Sequence, residues 1–158
     1  MSADKIISPD EIEAVADRLR AQKATIVFTN GVFDLLHPGH VDYLTAARKE
    51  GSHLIVGVNS DASARRIKGE KRPLVRLEER IEVLAAWEAV SLVTWFEEDT
   101  PEQIIRRIRP DVLIKGDDWK IEEIVGKGFV ESCGGRVLTL PYNKGYSTSA
   151  IIGKILKL

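Results

Sequence analysis

The 158-residue chain has one cysteine and one methionine, aromatic residues make up only 6% of it, and neither sign of charge dominates: 23 lysines and arginines face 24 aspartates and glutamates, for a formal net charge of -1. Each shortage excludes something. A lone Cys133 rules out an internal disulfide and lacks the partners of a thiolate metal cluster, so a reducing, cytoplasmic setting is expected. Balanced charge argues against a general nucleic-acid-binding surface, which needs a clear basic excess. No apolar run approaches the roughly 20 residues that span a bilayer, and the acidic N-terminal segment lacks a secretory pattern, so no membrane partner is expected. Both familiar glycine-rich phosphate loops, Gly-x-Gly-x-x-Gly and the Walker loop, are also missing after the first apolar run. A phosphate site here has to be built from other local features.

What is present is an alternation of strand and helix signals. Ser8-Pro9-Asp10-Glu11 carries a capping residue, a first-turn proline and a glutamate three after the cap, predicting a helix to about Arg20. Residues 25–28, 54–58, 92–96, 112–114 and 136–140 read as short apolar strands. Helical stretches lie between them: from Pro38 to a stop at Gly51, from Leu77 to Trp87, from Thr100-Pro101 to about Arg109, one reaching Cys133 before Gly134-Gly135, and a closing helix from Ser147 or Thr148. Residues 65–76 read as a polar, basic loop. Strands with little polar alternation, separated by helices, predict a parallel sheet covered on both faces: a doubly wound α/β fold, one domain over residues 1–158. Ligands of such sheets bind beyond the carboxyl ends of the strands, which here carry residues 29–40, 59–61, 115–118 and 142–149.

The segment from Thr29 to His40 joins the first strand to a helix and plants two imidazoles at the join. Pro38 suits the first helical position, where a missing N-H costs nothing. His37 then falls at or next to the cap and His40 three residues on, so both rings can share one side of the opening turn. Helix N-terminal N-H groups and the positive end of the helix dipole point the same way, which favours a bound oligophosphate, and Gly39 permits its close approach. The strand before and the helix after distinguish this His-Pro-Gly-His from an accidental surface pair or a metal site. Other rim residues have two readings each. Lys68, Lys71, Arg72 and Arg76 are either a solvated loop or a lid that closes over phosphates, with Lys68 neutralising developing charge. Lys115-Gly116-Asp117-Asp118 is either a plain turn or a place where glycine admits a base or ribose and the carboxylates hold sugar hydroxyls. Ser147 and Thr148 cap a helix, bind phosphate, or do both. Asp34 forms an Asx turn, orients a histidine or sits near magnesium. His53, Trp87 and Trp95 read as structural or contact residues, and Cys133 as inert packing.

On these residues the chain resembles the cytidylyltransferase-like nucleotidyltransferase superfamily along almost its whole length, through residues 31–40 and the later Ser147-Thr148-Ser149-Ala150-Ile151. Within it, residues 58–63, Lys68-Gly69 with Arg72-Pro73-Leu74, and residues 96–101 and 110–116 are most similar to the heptose 1-phosphate adenylyltransferases. The resemblance implies a Rossmann-like, five-stranded parallel sheet in the order 3-2-1-4-5. It also implies transfer of an adenylyl group from ATP, with Mg2+, to D-glycero-β-D-manno-heptose 1-phosphate. ADP-heptose for lipopolysaccharide or another surface glycan, and pyrophosphate, would be the products. A homodimer is implied too, in the stand-alone form rather than the one fused to a sugar kinase. His37, His40 and Lys68 are then the catalytic residues, and Thr29, Asn30, Gly31, Phe33, Gly39, Lys115, Gly116, Ser147, Thr148 and Ser149 bind the nucleotide. Asp34, Asp61, Arg72, Asp117 and Asp118 meet the sugar phosphate, and no protein metal-ligand cluster is expected. Lys115-Gly116-Asp117-Asp118-Trp119 is similar to the corresponding segment of glycerol-3-phosphate cytidylyltransferases, which makes CTP with an alcohol phosphate the alternative. A nucleotide-binding module without catalysis is the third reading.

Overall fold

The five apolar runs pair as five parallel strands. β1 (Ile26–Gly31) is central, flanked by β2 (His53–Asn59) and β4 (Val112–Gly116), with β3 (Leu92–Phe96) and β5 (Arg136–Leu140) outside them, so the order is the expected β3-β2-β1-β4-β5. The computed structural model describes residues 2–141, 143 and 145–158; Tyr142, which the sequence puts on the ligand rim, lies outside them. Successive residues of β1 serve opposite faces of the sheet. Val27 joins Leu54, Val56 and Val58 beneath α2 (Pro38–Arg48) and α4 (Leu77–Ala85). Ile26 and Phe28 join Ile55 and Leu113 beneath α1 (Ile12–Ala21), α5 (Glu102–Ile108) and α6 (Lys127–Ser132). Both faces are covered, which is why the strands read as unbroken apolar runs. Glycine in mid-strand has a packing reason: a Cβ on Gly57 would sit 2.6 Å from Phe28 Cζ.

The central strands part where a site is needed. β1 stays in register with β2 as far as Gly31 and Val58, but with β4 it pairs only at Val27–Val112 and Phe28–Leu113. Connections leave to opposite sides of the sheet at this point, opening a crevice at the carboxyl ends. Lys115, beyond the last paired residue of β4 on this side, reaches back across it to donate from Nζ to Asn30 Oδ1 at 3.1 Å.

Several boundaries differ from the sequence reading. The first helix begins at Ile12, not just after Ser8, because the Ser8 hydroxyl donates to Glu11 Oε2 at 2.8 Å and residues 9–11 form a turn. α5 begins at Glu102, with Pro101 in the capping position. The stretch expected to run as one helix to Cys133 is a 3-10 turn, Ile121–Glu123, followed by α6, with Gly126 at φ +87° between them. Part of the expected basic loop is a helix, α3 (Asp61–Lys68), whose Ser60 cap accepts from the Ser63 amide at 3.1 Å. Cys133 is exposed, not packed. No helix among the described residues is long and apolar enough to cross a membrane.

One core residue is out of keeping with its surroundings. Thr94 in β3 is fully buried, and among the described residues its hydroxyl has no hydrogen-bond partner. Thr94→Val keeps the shape and removes the desolvated hydroxyl, so stability rises by about 1 kcal/mol. A higher urea midpoint with an unchanged m-value is the expected result; a lower midpoint would show that the hydroxyl is satisfied in solution.

Candidate active site

A cleft of about 600 Å³ lies beyond the carboxyl ends of the strands, walled by residues 30–34, the first turns of α2, Asn59 at the end of β2, the end of α3, residues 99–101, the end of β4 and the head of α7 (Thr148–Ile155). His37 takes the cap position of α2 in extended backbone, and His40 is the third helical residue. Their rings meet with centroids 3.9 Å apart and an interplanar angle of 36°, both buried to within 7% exposure yet both lining the cleft. A Cβ on Gly39 would lie 3.0 Å from two atoms of the His37 ring, so glycine here lets that ring sit close against the helix backbone.

The local geometry sets a protonation pattern. The His37 backbone N-H donates to His40 Nδ1 at 3.3 Å, so Nδ1 is the bare nitrogen and Nε2 carries the proton. Burial, and then the neighbouring His37 ring, push the His40 pKa down to about 4, and burial lowers that of His37 as well. Both rings are therefore neutral near pH 7. A neutral ring with its proton on Nε2 is a hydrogen-bond donor that carries no desolvated charge of its own.

Cationic character comes from the lysines and the helix ends. Burial brings the Lys115 pKa down to about 8; Asp118 opposes that shift and Lys68 adds to it, which brings Lys68 into the same neighbourhood. The Lys115 ammonium also lies 5.2 Å from the centroid of the Trp119 ring, a cation-π distance. At the head of α7 the Ser147 hydroxyl oxygen accepts from the Ala150 amide at 3.0 Å, and Thr148 Oγ1 donates to Leu35 O at 2.9 Å. The Thr148 hydroxyl proton is thus spent on pinning the helix to the β1–α2 loop.

Asp34 is engaged by the loop that follows α3, and among the described residues its partners include neither a histidine nor an amide of its own turn. Its carboxylate accepts from the Leu74 amide at 2.9 Å, from the Val75 amide at 2.9 Å and from Arg72 Nε at 2.7 Å, clamping the loop between α3 and α4 against the site. Burial alone would raise the Asp34 pKa; the two amides and Arg72 outweigh it and hold the carboxyl below its usual range.

Most of the sequence-predicted residues converge. Asn30, Gly31, Phe33, Asp34, His37, His40, Lys68, Arg72, Lys115, Gly116, Asp118, Ser147, Thr148 and Ser149 all line the cleft. Four do not. Thr29 is fully buried, its hydroxyl 2.8 Å from the Tyr43 hydroxyl, and Gly39 lies behind the His37 ring. Asp61 points away to pair with Arg80 Nη2 at 2.7 Å. Asp117 is exposed, and its amide continues the sheet by donating to Leu140 O at 2.9 Å.

Residues 28–154 match the cytidylyltransferase-like family. The chain belongs to that family. Among curated relatives, this cytidylyltransferase-like chain is 51% identical over 152 residues to the bifunctional protein HldE of Klebsiella pneumoniae, covering 96% of the chain and 32% of the relative. It is 50% identical over 153 residues to that of Geobacter sulfurreducens, covering 97% and 31%. The chain thus spans about a third of the length of these relatives. Among solved structures, a lipopolysaccharide core biosynthesis protein from Thermoplasma volcanium aligns with a TM-score of 0.64 and 27% identity over 78% of this chain and 99% of that one. A pantoate-beta-alanine ligase from Francisella tularensis, at 15% identity and a TM-score of 0.65 over 97% of this chain and 78% of that one, shares the fold alone.

Tyr43 and Arg80 are among the residues in and around this cytidylyltransferase-like site that the sequence reading passed over. Tyr43 lines the cleft and had a signal, its place three residues after His40 on the same helix face. Arg80 had none. It sits in a Glu-rich helix and reads as surface, yet it is 1% exposed and donates to Val75 O at 2.9 Å, Asn59 O at 2.9 Å and Val32 O. Its guanidinium ties the ends of β1 and β2 to the loop carrying Arg72, a placement only the tertiary fold creates.

Proposed function

We propose that this chain catalyses adenylyl transfer from ATP to D-glycero-β-D-manno-heptose 1-phosphate, yielding ADP-heptose and pyrophosphate for lipopolysaccharide or another surface glycan. The HldE relatives at about half identity and the lipopolysaccharide core biosynthesis protein among the solved structures support the choice of pathway. The observation that carries the chemistry is the buried His37–His40 pair, its ring centroids 3.9 Å apart at the head of a helix within one cleft that also holds Lys68 and Lys115.

A phosphate oxygen of the sugar phosphate attacks the α-phosphorus of ATP, the bond from that phosphorus to the bridging oxygen of the β-phosphate breaks, and pyrophosphate departs. No covalent intermediate with the protein forms. His37 and His40 donate to the oxygens of the transferring group, whose charge grows in the transition state. Lys115 and Lys68 compensate the triphosphate and the leaving pyrophosphate, and the first turn of α7 supplies amides. Positioning and preset electrostatics account for the rate, as in other transfers that lack covalent chemistry. Magnesium fits as the ion that arrives with the triphosphate. Asp34 is committed to Arg72 and two amides and Asp99 to Arg66, so phosphate oxygens, water and at most Asp118 would hold it, a shell that suits this cation. Bound there it supplies charge compensation for the departing pyrophosphate. The same reading has the protein working in the cytoplasm as a homodimer, with ATP and a sugar 1-phosphate as its partners.

Pyrophosphate release tests this directly. ATP with the heptose 1-phosphate is expected to turn over and CTP with glycerol 3-phosphate is not. The reverse preference would make the protein an alcohol phosphate cytidylyltransferase, and silence with every pair despite ATP binding would make it a nucleotide-binding module.

A further inference from the structure

The Arg72–Asp34 pair has more order than a loop contact requires. Asp34 is 1% exposed at its side chain and Arg72 21%, and the bond between them runs through Arg72 Nε. Among the described residues the two terminal nitrogens of Arg72 have no protein partner, and the residue lines the cleft. Three donor groups on one buried carboxylate, two of them amides of the same loop, leave the guanidinium little freedom about its long stem. An arginine held by Nε presents its remaining edge as a planar, two-pronged donor that matches a phosphate monoester. Lys68 and Lys115 also line the cleft and supply separate cations for the triphosphate.

We infer that Asp34 is a positioning residue and not a substrate ligand: it aims Arg72, which the resemblance implies meets the sugar phosphate, at the phosphate group of the acceptor. This assignment rests on the adenylyltransferase reading for the identity of the acceptor, but its geometry holds for any phosphate monoester that attacks a nucleoside triphosphate. The carboxylate Asp34 keeps its charge because the amides and Arg72 stabilise it, so the clamp stays set throughout the neutral range. The nucleophilic oxygen must lie in line with the departing pyrophosphate, and a fixed fork on the acceptor's other oxygens provides that alignment.

The experiment measures KM for each substrate separately, with kcat and melting temperature, for the full chain carrying Arg72→Met, Arg72→Lys, Asp34→Asn and the Arg72→Met/Asp34→Asn double change. Wild-type turnover with ATP and the heptose 1-phosphate is measured first. Its absence overturns the functional reading alone, and the variants are then compared with CTP and glycerol 3-phosphate. Arg72→Met is expected to raise the acceptor KM by about 10-fold or more while the nucleotide KM changes less than about 2-fold. Arg72→Lys recovers only part of that loss, because an ammonium cannot bridge two oxygens in a plane. Asp34→Asn is expected to shift the same constant in the same direction, and to add little once Arg72 is methionine. A rise in the nucleotide KM equal to or above that of the acceptor with Arg72→Met would move Arg72 to the triphosphate and overturn the inference. Fully additive effects of the two substitutions would overturn the positioning role of Asp34.

Discussion

His40→Asn is expected to lower kcat by about 100-fold or more while the protein stays folded, the scale on which single preset donors contribute to charge stabilisation. Asparagine carries its Oδ1 near the place of Nδ1, so it can still accept from the His37 backbone N-H, the 3.3 Å bond that sets the opening turn of α2. What it loses is the Nε2 donor. His40→Gln makes the opposite exchange, returning a donor near Nε2 and giving up the acceptor, and should retain more activity with less stability. Single-turnover rates and melting temperatures for both variants check this, and His40→Asn within about threefold of wild type would reduce the ring to scaffolding. With the His40 pKa held near 4, kcat does not titrate with this ring between about pH 6 and 8. Stability does respond at lower pH. The unfolded chain takes up a proton on this histidine from about pH 6.5 downward and the folded one only near 4, so native stability falls across that window by at most roughly 3 kcal/mol.

Lys115→Met should do two opposite things: lower kcat/KM for ATP by about 10- to 100-fold, the range for a charged hydrogen bond lost from a phosphate, and raise the melting temperature of the ligand-free protein. The gain in stability follows from the burial that brings the Lys115 pKa from 10.5 to about 8, since the folded state then disfavours the charge that the unfolded chain carries freely. The sign with pH is definite. Below about pH 8 the cost of holding the charged form is fully present, and it fades as pH rises toward 10.5, so the advantage of the methionine variant narrows there. Binding works the other way: above about pH 8 the wild-type site loses its cation and KM for ATP climbs, up to tenfold per unit, whereas the variant shows no such limb. A wild-type profile flat to pH 9.5 would remove Lys115 from the triphosphate.

The sheet was legible because its strands are buried on both faces. Runs such as Leu54-Ile55-Val56 and Val112-Leu113-Ile114 have no polar alternation to confuse, and the proline after His37 marked where α2 starts. α3 was not legible, because Arg65, Arg66 and Lys68 crowd a helix whose buried residues are the small Ser63 and Ala64, so its composition reads as a polar loop. The histidine pair, the lysines and the rim serines could be read because strand ends and helix starts carry strong local signals. Asp34, Asp61 and Thr29 could not be given their roles, since each is decided by a partner distant in sequence: the loop after α3, Arg80 and Tyr43. A side chain's chemistry is local information, but whether it is already engaged is not.

The Thr148-to-Leu35 hydrogen bond spans 113 residues of sequence, farther than the 85 between paired residues of β1 and β4. Contacts that far apart close late, after the entropy of the long intervening loop has been overcome. A chain refolding from denaturant therefore reaches its sheet before its catalytic geometry. Recovery of ATP binding should trail recovery of secondary structure, with docking of the final helix as the step between them.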